Sequence, residues 1–394
     1  MSGRQWLPLI GIALSVFIFN MSEFMPIGLL TAISDDFSIS ESKAGLIISV
    51  YAWAVAILSL PIMLLLRKME YRRMLLMTVV LFAVFQFMSG ISTSYWMLMA
   101  SRLGVAVAHS VFWSIAAPLA VRVVDREHQK VALSLIATGT SLAMVIGLPL
   151  GRVIGLALGW RMAFIAMALA AAAVLVMLAI VFPRVENPGT FTVRRLPEIF
   201  RNRVLMGIYL VIAVYVTGYY TAYSYIEPFM LQTAGMSENM ITVALIIFGL
   251  AGLIGSVLFT KKYGSARYAF IMSALTFSSL SMLALAAAAE LEIAVLLLVI
   301  LWGMSHTMFN ISFQNETLHA SQQDSAAIAR SLQSGIYNVG IAMGSILGGA
   351  VTDNLSVGDI GYVGGILGMA AAMFTAVVLI AAMKRRDASG AAGA

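Results

Sequence analysis

Twelve long apolar runs separated by short polar connections make up almost the whole chain, at 7–33, 43–66, 74–92, 95–121, 131–158, 161–183, 204–230, 239–260, 268–288, 291–315, 329–353 and 360–383. A helix needs roughly 20 residues to cross a hydrocarbon core of about 30 Å, and most of these runs are that long. The strict alternation of a membrane β-barrel is absent. The expected class is therefore an all-α membrane protein with twelve transmembrane helices. The runs divide six and six about a polar stretch, 184–203, that holds Glu186-Asn-Pro-Gly189 and five arginines. This predicts an N-terminal six-helix bundle over 1–183, a cytoplasmic linker over 184–203, and a C-terminal bundle with a short cytoplasmic tail over 204–394.

Composition agrees with the pattern. Of 394 residues, 61% are hydrophobic and 11% charged, against about 45–50% and about 25% in soluble domains. The net charge of +6 would suggest nucleic acid in a soluble protein. Here all but four of the 24 lysines and arginines fall on the termini and on every second loop, the exceptions being Lys43, Arg102, Arg152 and Arg161. That bias places both termini in the cytoplasm. The first run is too long for the apolar core of a signal peptide and is expected to stay as a span. Cysteine is absent, which removes disulfides and thiol chemistry. The 26 methionines are spread over nearly every span and read as lipid-facing filler.

Polar residues inside the runs are the candidates for function. Glu23 stands in the first run with Asn20 three residues before it and Pro26 three after. A carboxylate at membrane depth costs several kcal/mol unless it faces a cavity, a partner or a proton. Asn20 and Glu23 share a helix face, and Pro26 removes a backbone donor, so the helix can bend there. The other reading ends the span near Asn20 and leaves Glu23 among headgroups. The fourth run carries Arg102, His109 and Trp113 at helical spacing. Arg102 keeps its charge and needs a partner, for which Glu23 is the expected carboxylate; a proton-linked switch and a fixed ion pair both fit. His109 fits a proton carrier and a satisfied hydrogen-bonding residue equally well.

In the fifth run Gly147, Pro149 and Gly151 combine small residues with a helix breaker, which suits a hinge and equally suits ordinary close helix contact. Tyr215, Tyr219, Tyr223 and Glu227 recur every four residues in the seventh. Such a phenolic stripe offers flat faces and hydroxyls to a polyol or planar amphiphile; interfacial anchoring accounts for the outer tyrosines only. The tenth run holds Trp302, His306, Asn310 and Gln314 at the same interval, and the eleventh holds Gln333, Tyr337 and Asn338 ahead of a glycine series. Buried amides need partners, supplied by neighbouring helices or by substrate. The matching polar interruptions in the two halves are the pattern of a transporter built from parallel repeats, with its site near midplane at their interface. No phosphate loop, metal-ligand spacing or nucleophile–base pair is present. The chain is expected to be no enzyme and to need no cofactor.

The segments Asn20-Met-Ser-Glu23-Phe-Met-Pro26, Tyr51-Ala-Trp53, Arg102 through Trp113, Gly139 to Arg152, and Tyr220-Thr-Ala-Tyr223-Ser-Tyr225-Ile-Glu227-Pro228 resemble the major facilitator superfamily. Within it they resemble the twelve-span drug:proton antiporter branch, and in that branch the bacterial sugar efflux transporters. The resemblance implies the major facilitator fold of two pseudo-symmetric six-helix bundles, in a monomer of the cell inner membrane. It implies proton-coupled efflux of arabinose- or thiogalactoside-like sugars by alternating access, with multidrug or purine-nucleoside antiport as the alternative. Glu23, Arg102 and His109 would couple protons. Asn20, Tyr51, Trp113, Tyr219, Tyr223, Glu227, His306, Asn310, Gln314 and Asn338 would contact substrate, and Gly147, Pro149 and Gly151 would match the antiporter motif. Two features depart from the superfamily. The second loop keeps Arg67, Lys68, Arg72 and Arg73 with Glu70 as its nearest acid, and Arg152 stands where a glycine is common.

Overall fold

A computed structural model describes residues 3–66, 68–186, 196–321 and 326–391. Among these residues the secondary structure is helical and no strand occurs. Twelve helices among the described residues are long and apolar enough to cross a membrane: α1 (Trp6–Phe37), α2 (Glu41–Leu66), α3 (Tyr71–Gly90), α4 (Tyr95–Arg122), α5 (Arg126–Leu158), α6 (Trp160–Val181), α7 (Arg203–Tyr223), α8 (Glu238–Lys262), α9 (Arg267–Ala288), α10 (Glu292–Ala320), α11 (Ile328–Asn354) and α12 (Val357–Ala388). Of the predicted polar linker, Asn187 to Arg195 lies outside the described residues, as does Arg67. Its last part folds as a short helix, Leu196–Arg201, with Ile199 buried.

Prolines decide where the helices deviate. α1 is α-helical to Phe24, then turns through a 3₁₀ segment, Met25–Leu29, with Pro26 in its first turn, where a missing N–H is tolerated. α5 passes through a π turn, Ala143–Gly147, immediately ahead of Pro149. The wider turn accommodates the carbonyl that Pro149 cannot serve. The predicted seventh run extends to 230, but α7 stops at Tyr223. Pro228 crowds the carbonyl four residues earlier, and the chain continues as Ile226–Pro228 and a π turn, Phe229–Thr233.

The chain forms two compact units, Met1–Phe191 and Thr192–Ala394. In the first, α1 packs on α5 and α6, α2 on α4, and α3 on α4 and α6. In the second, α7 packs on α11 and α12, α8 on α10, and α9 on α10 and α12. Advancing every label by six turns one set into the other, so the two units repeat one packing plan. The α7–α11 contact requires glycine: a Cβ on Gly344 or Gly348 would come within 2.5 Å of the Thr217 or Thr221 carbonyl oxygen.

Side chains close the helix ends. Glu70 caps α3, accepting from the backbone N–H of Arg72 at 2.9 Å and of Arg73 at 3.0 Å, and from Val185 N–H at 2.8 Å. Burial opposes its charge, but these N–H groups and the Arg72 guanidinium outweigh it and hold the carboxyl below its ordinary value. Arg72 donates onward to the Phe182 and Ala179 carbonyls at 2.8 and 2.7 Å, satisfying the end of α6. In the second unit Arg267 of α9 donates to both oxygens of Glu316 on α10 at 2.5 Å and to Asp387 on α12 at 2.8 Å. Tyr263, just beyond α8, donates its hydroxyl to the same glutamate.

Candidate functional site

Glu23 falls near the middle of α1, far from either end. Its side chain is 12% exposed, and Oε2 lies 3.4 Å from Nε2 of His109 on α4. One turn further along α4, Trp113 donates its indole N–H to that same Nε2 at 2.6 Å. His109 Nδ1 is buried without a partner, and the ring meets Tyr51 of α2 edge-on at 5.5 Å. Phe19, stacked between Phe82 and Phe112 at 4.0 and 4.2 Å, walls the cluster on α1.

Arg102 does not take Glu23 as its direct partner. Its Nη1 donates to Ser22 Oγ at 3.2 Å, and its guanidinium lies over the Tyr51 ring at 4.5 Å and near Phe164 at 5.8 Å. Arg102 Nε and the Tyr51 hydroxyl are buried without partners. The expected Arg102–Glu23 pair is thus replaced by a contact from Glu23 to His109, with the arginine held against the neighbouring serine and an aromatic face. One helical step separates Ser22 from Glu23, which is the difference between two α1 faces. Asn20 is buried and returns its amide to the Val16 carbonyl at 2.9 Å, so it spends a donor on its own helix.

α5 presses on this part of α1 from behind. A Cβ on Gly147 would meet Met21 at 3.1 Å, and one on Gly151 would overlap the Met25 side chain, so the two glycines bracket the turn that carries Glu23. Pro149 sits between them. Arg152, which stands where a glycine is common in the antiporter motif, is 1% exposed and donates Nη1 to the Gly28 carbonyl at 2.6 Å. That oxygen belongs to the 3₁₀ segment, where regular i→i+4 pairing fails, and a buried cation takes it up. A charged residue inside a run was the available signal.

In the second unit the expected residues form two groups. Tyr219 stacks on His306 at 3.7 Å and on Tyr223 at 5.0 Å, and Trp302 meets it edge-on at 5.5 Å. His306 Nδ1 lies 3.4 Å from the Tyr215 hydroxyl, and its Nε2 lies 3.2 Å from that of Tyr337. The phenolic stripe is therefore packed inside its own bundle. Because α7 ends at Tyr223, Glu227 does not extend it; Glu227 is buried in the short helix beyond the break. The second group runs along α10 and α11. Gln314 donates to Asn310 at 2.6 Å and accepts from Arg330 at 2.9 Å. Asn338 donates to the Ser334 carbonyl at 3.0 Å and keeps a buried Oδ1 without a partner. Arg330, counted in sequence among loop cations, belongs to this group.

A family model described as Major Facilitator Superfamily matches residues 12–345. The fold is also that of solved transporters. A bacterial homolog to the human lysosomal transporter Spinster, inward-facing and unoccupied, is 15% identical over 97% of this chain and 96% of that one, with a TM-score of 0.73. A POT family transporter in complex with 5-aminolevulinic acid is 12% identical over 97% and 96%, with a TM-score of 0.77. With the family model spanning most of the chain and the twelve spans repeating one packing plan in two units, this protein belongs to the Major Facilitator Superfamily, as a multi-pass membrane transporter and not an enzyme.

Proposed function

We propose that the protein is a proton-coupled exporter of sugars or sugar analogues, working by alternating access in a bacterial inner membrane with both termini in the cytoplasm. The observation that carries the coupling is the convergence of Glu23 Oε2 and the Trp113 indole on one nitrogen, His109 Nε2. That nitrogen has a single lone pair or a single proton to offer. While it accepts the indole N–H, the imidazole is neutral with its proton on Nδ1, and an ionised carboxylate would face a filled lone pair. The protonated acid fits this arrangement only by sharing that lone pair, its O–H pointing at Nε2 beside the indole N–H. Once Glu23 gives up its proton, its carboxylate is better served by the Arg102 guanidinium, or by an Nε2–H that displaces the indole. Proton loss thus exchanges the partners of a side chain on α1, next to the 3₁₀ turn and the glycines of α5. This is the kind of two-state element that coupling requires.

Buried hydrogen-bonding groups without partners, Asn338 Oδ1 and Trp302 Nε1 in the second unit and the Tyr51 hydroxyl in the first, support a substrate rich in hydroxyls. Asn20, Trp113, Tyr219, Tyr223, Glu227, His306, Asn310 and Gln314 complete the proposed substrate set, and Gly147, Pro149 and Gly151 the proposed hinge. The aromatic packing around Tyr219 favours a second reading, a planar nucleoside or drug. Reconstituted protein under an imposed proton gradient separates the two. Gradient-driven movement of arabinose or a thiogalactoside is expected; movement of purine nucleosides or chloramphenicol-like drugs alone would replace the sugar reading.

A further inference from the structure

Arg330 lies two residues inside α11. Its Nη1 donates to Gln333 Oε1 at 2.7 Å and its Nη2 to Gln314 Oε1 at 2.9 Å. Both partners are neutral amides, and among the described residues no carboxylate approaches Arg330 within 4.0 Å. Arg161 is paired with Asp36, and Arg267 with Glu316 and Asp387; Arg102 and Arg152 donate to a serine hydroxyl and a backbone carbonyl, but they are fully buried, whereas Arg330 is half-buried.

A guanidinium keeps its charge, and at a span's end it is free to reach out to the interface; Arg330 is instead turned in against α10. If the role of this residue were to join α10 to α11, a neutral amide chain, already present as Gln314 donating to Asn310 at 2.6 Å, would do so without a charge. Two of the five guanidinium donors are used. One turn along the same face, Ser334 is exposed, and a Cβ added to the adjacent Gly335 would meet nothing within 4 Å. The cation therefore borders open space, on a helix whose next polar residue on that side is Asn338.

We propose that Arg330, oriented by Gln314 and Gln333, is a subsite for an anionic oxygen pair on the transported molecule, a carboxylate or phosphate. Acidic sugar derivatives are then bound in preference to neutral sugars. The inference rests on the reading of these helices as substrate-binding and narrows its substrate class. Arginine takes two oxygens of such a group at once, with hydrogen bonds about twice as strong as neutral ones.

The test is binding to the full-length purified protein of matched neutral and acidic probes: galactose against galacturonate and galactose 6-phosphate, and inosine against inosine 5′-monophosphate. In at least one set the acidic member is expected to bind about tenfold or more tighter, and Arg330→Gln should erase that preference. Gln314→Glu provides the second variant: it places an internal carboxylate on an intact Arg330 and should erase the preference too, which guards against a folding defect in the first. Equal affinities in every set, or a preference that survives either variant, would overturn the subsite. A neutral sugar that binds without any acid preference overturns the subsite and leaves sugar export standing. An Arg330-dependent preference confined to the inosine pair keeps the subsite and rejects the sugar reading.

Discussion

Removing Arg267 should destabilise the second unit more than removing Glu316, although the two are partners in one ion pair. Glu316 has 2% of its side chain exposed, whereas Arg267 has 26% exposed and a second carboxylate, Asp387, at 2.8 Å. In Arg267→Met the buried glutamate keeps only the Tyr263 hydroxyl, and stranding one member of a buried pair costs about 3–5 kcal/mol. In Glu316→Gln the arginine retains Asp387 and water, and the amide oxygen still accepts one hydrogen bond. The loss is then nearer the ~1.5–3 kcal/mol of a hydrogen bond to a charged group. With no cysteine for a thiol dye but six tryptophans, intrinsic-fluorescence melting in detergent is the assay. The expected order of midpoints is wild type, Glu316→Gln, then Arg267→Met. A Glu316→Gln midpoint at or below that of Arg267→Met would refute the burial argument, because the buried glutamate loses its cation in one variant while the more exposed arginine keeps Asp387 in the other.

Three further outcomes follow from contacts elsewhere. Arg152→Met removes the buried guanidinium donor from the Gly28 carbonyl of the 3₁₀ turn, and should cost about 1–3 kcal/mol and depress transport, read from melting and uptake in the same preparation. Gly344→Leu should abolish folded protein on size-exclusion chromatography, since even its Cβ would lie 2.5 Å from a backbone oxygen of α7 and overpacking alone costs about 1–3 kcal/mol. Glu70→Gln should cost roughly 1 kcal/mol as a lost N-cap at neutral pH. The folded protein holds this carboxyl below its ordinary 4.5, so its contribution is present above that value and fades as pH falls through the lowered one. The wild-type advantage over Glu70→Gln in a melting series should shrink on strong acidification; an advantage independent of pH would count against the charge.

The number and place of the helices were legible because twenty apolar residues in a row admit few alternatives, and because Pro26 and Pro149 announce their own breaks. Pairings across helices were not. Helical spacing groups Arg102, His109 and Trp113 on one face, but whether Glu23 or Ser22 meets the arginine depends on the rotation of α1 about its axis, which one-residue spacing in a sequence does not encode. The tyrosine stripe failed at its end for a similar reason. A four-residue period continues through Glu227 on paper, while Pro228 ends α7 before reaching it. Arg330 escaped notice because it sits close enough to a span boundary to pass as a loop cation, and only its amide partners mark it as part of α11.

Coupling turns on Glu23 as the group that gives up a proton when substrate binds. Detergent-solubilised protein in weakly buffered medium with a pH-sensitive dye measures this directly on addition of an arabinose- or thiogalactoside-type ligand. Wild-type protein should acidify the medium in a saturable way, and Glu23→Gln should bind the ligand without releasing protons. Proton release of equal size from Glu23→Gln would contradict it.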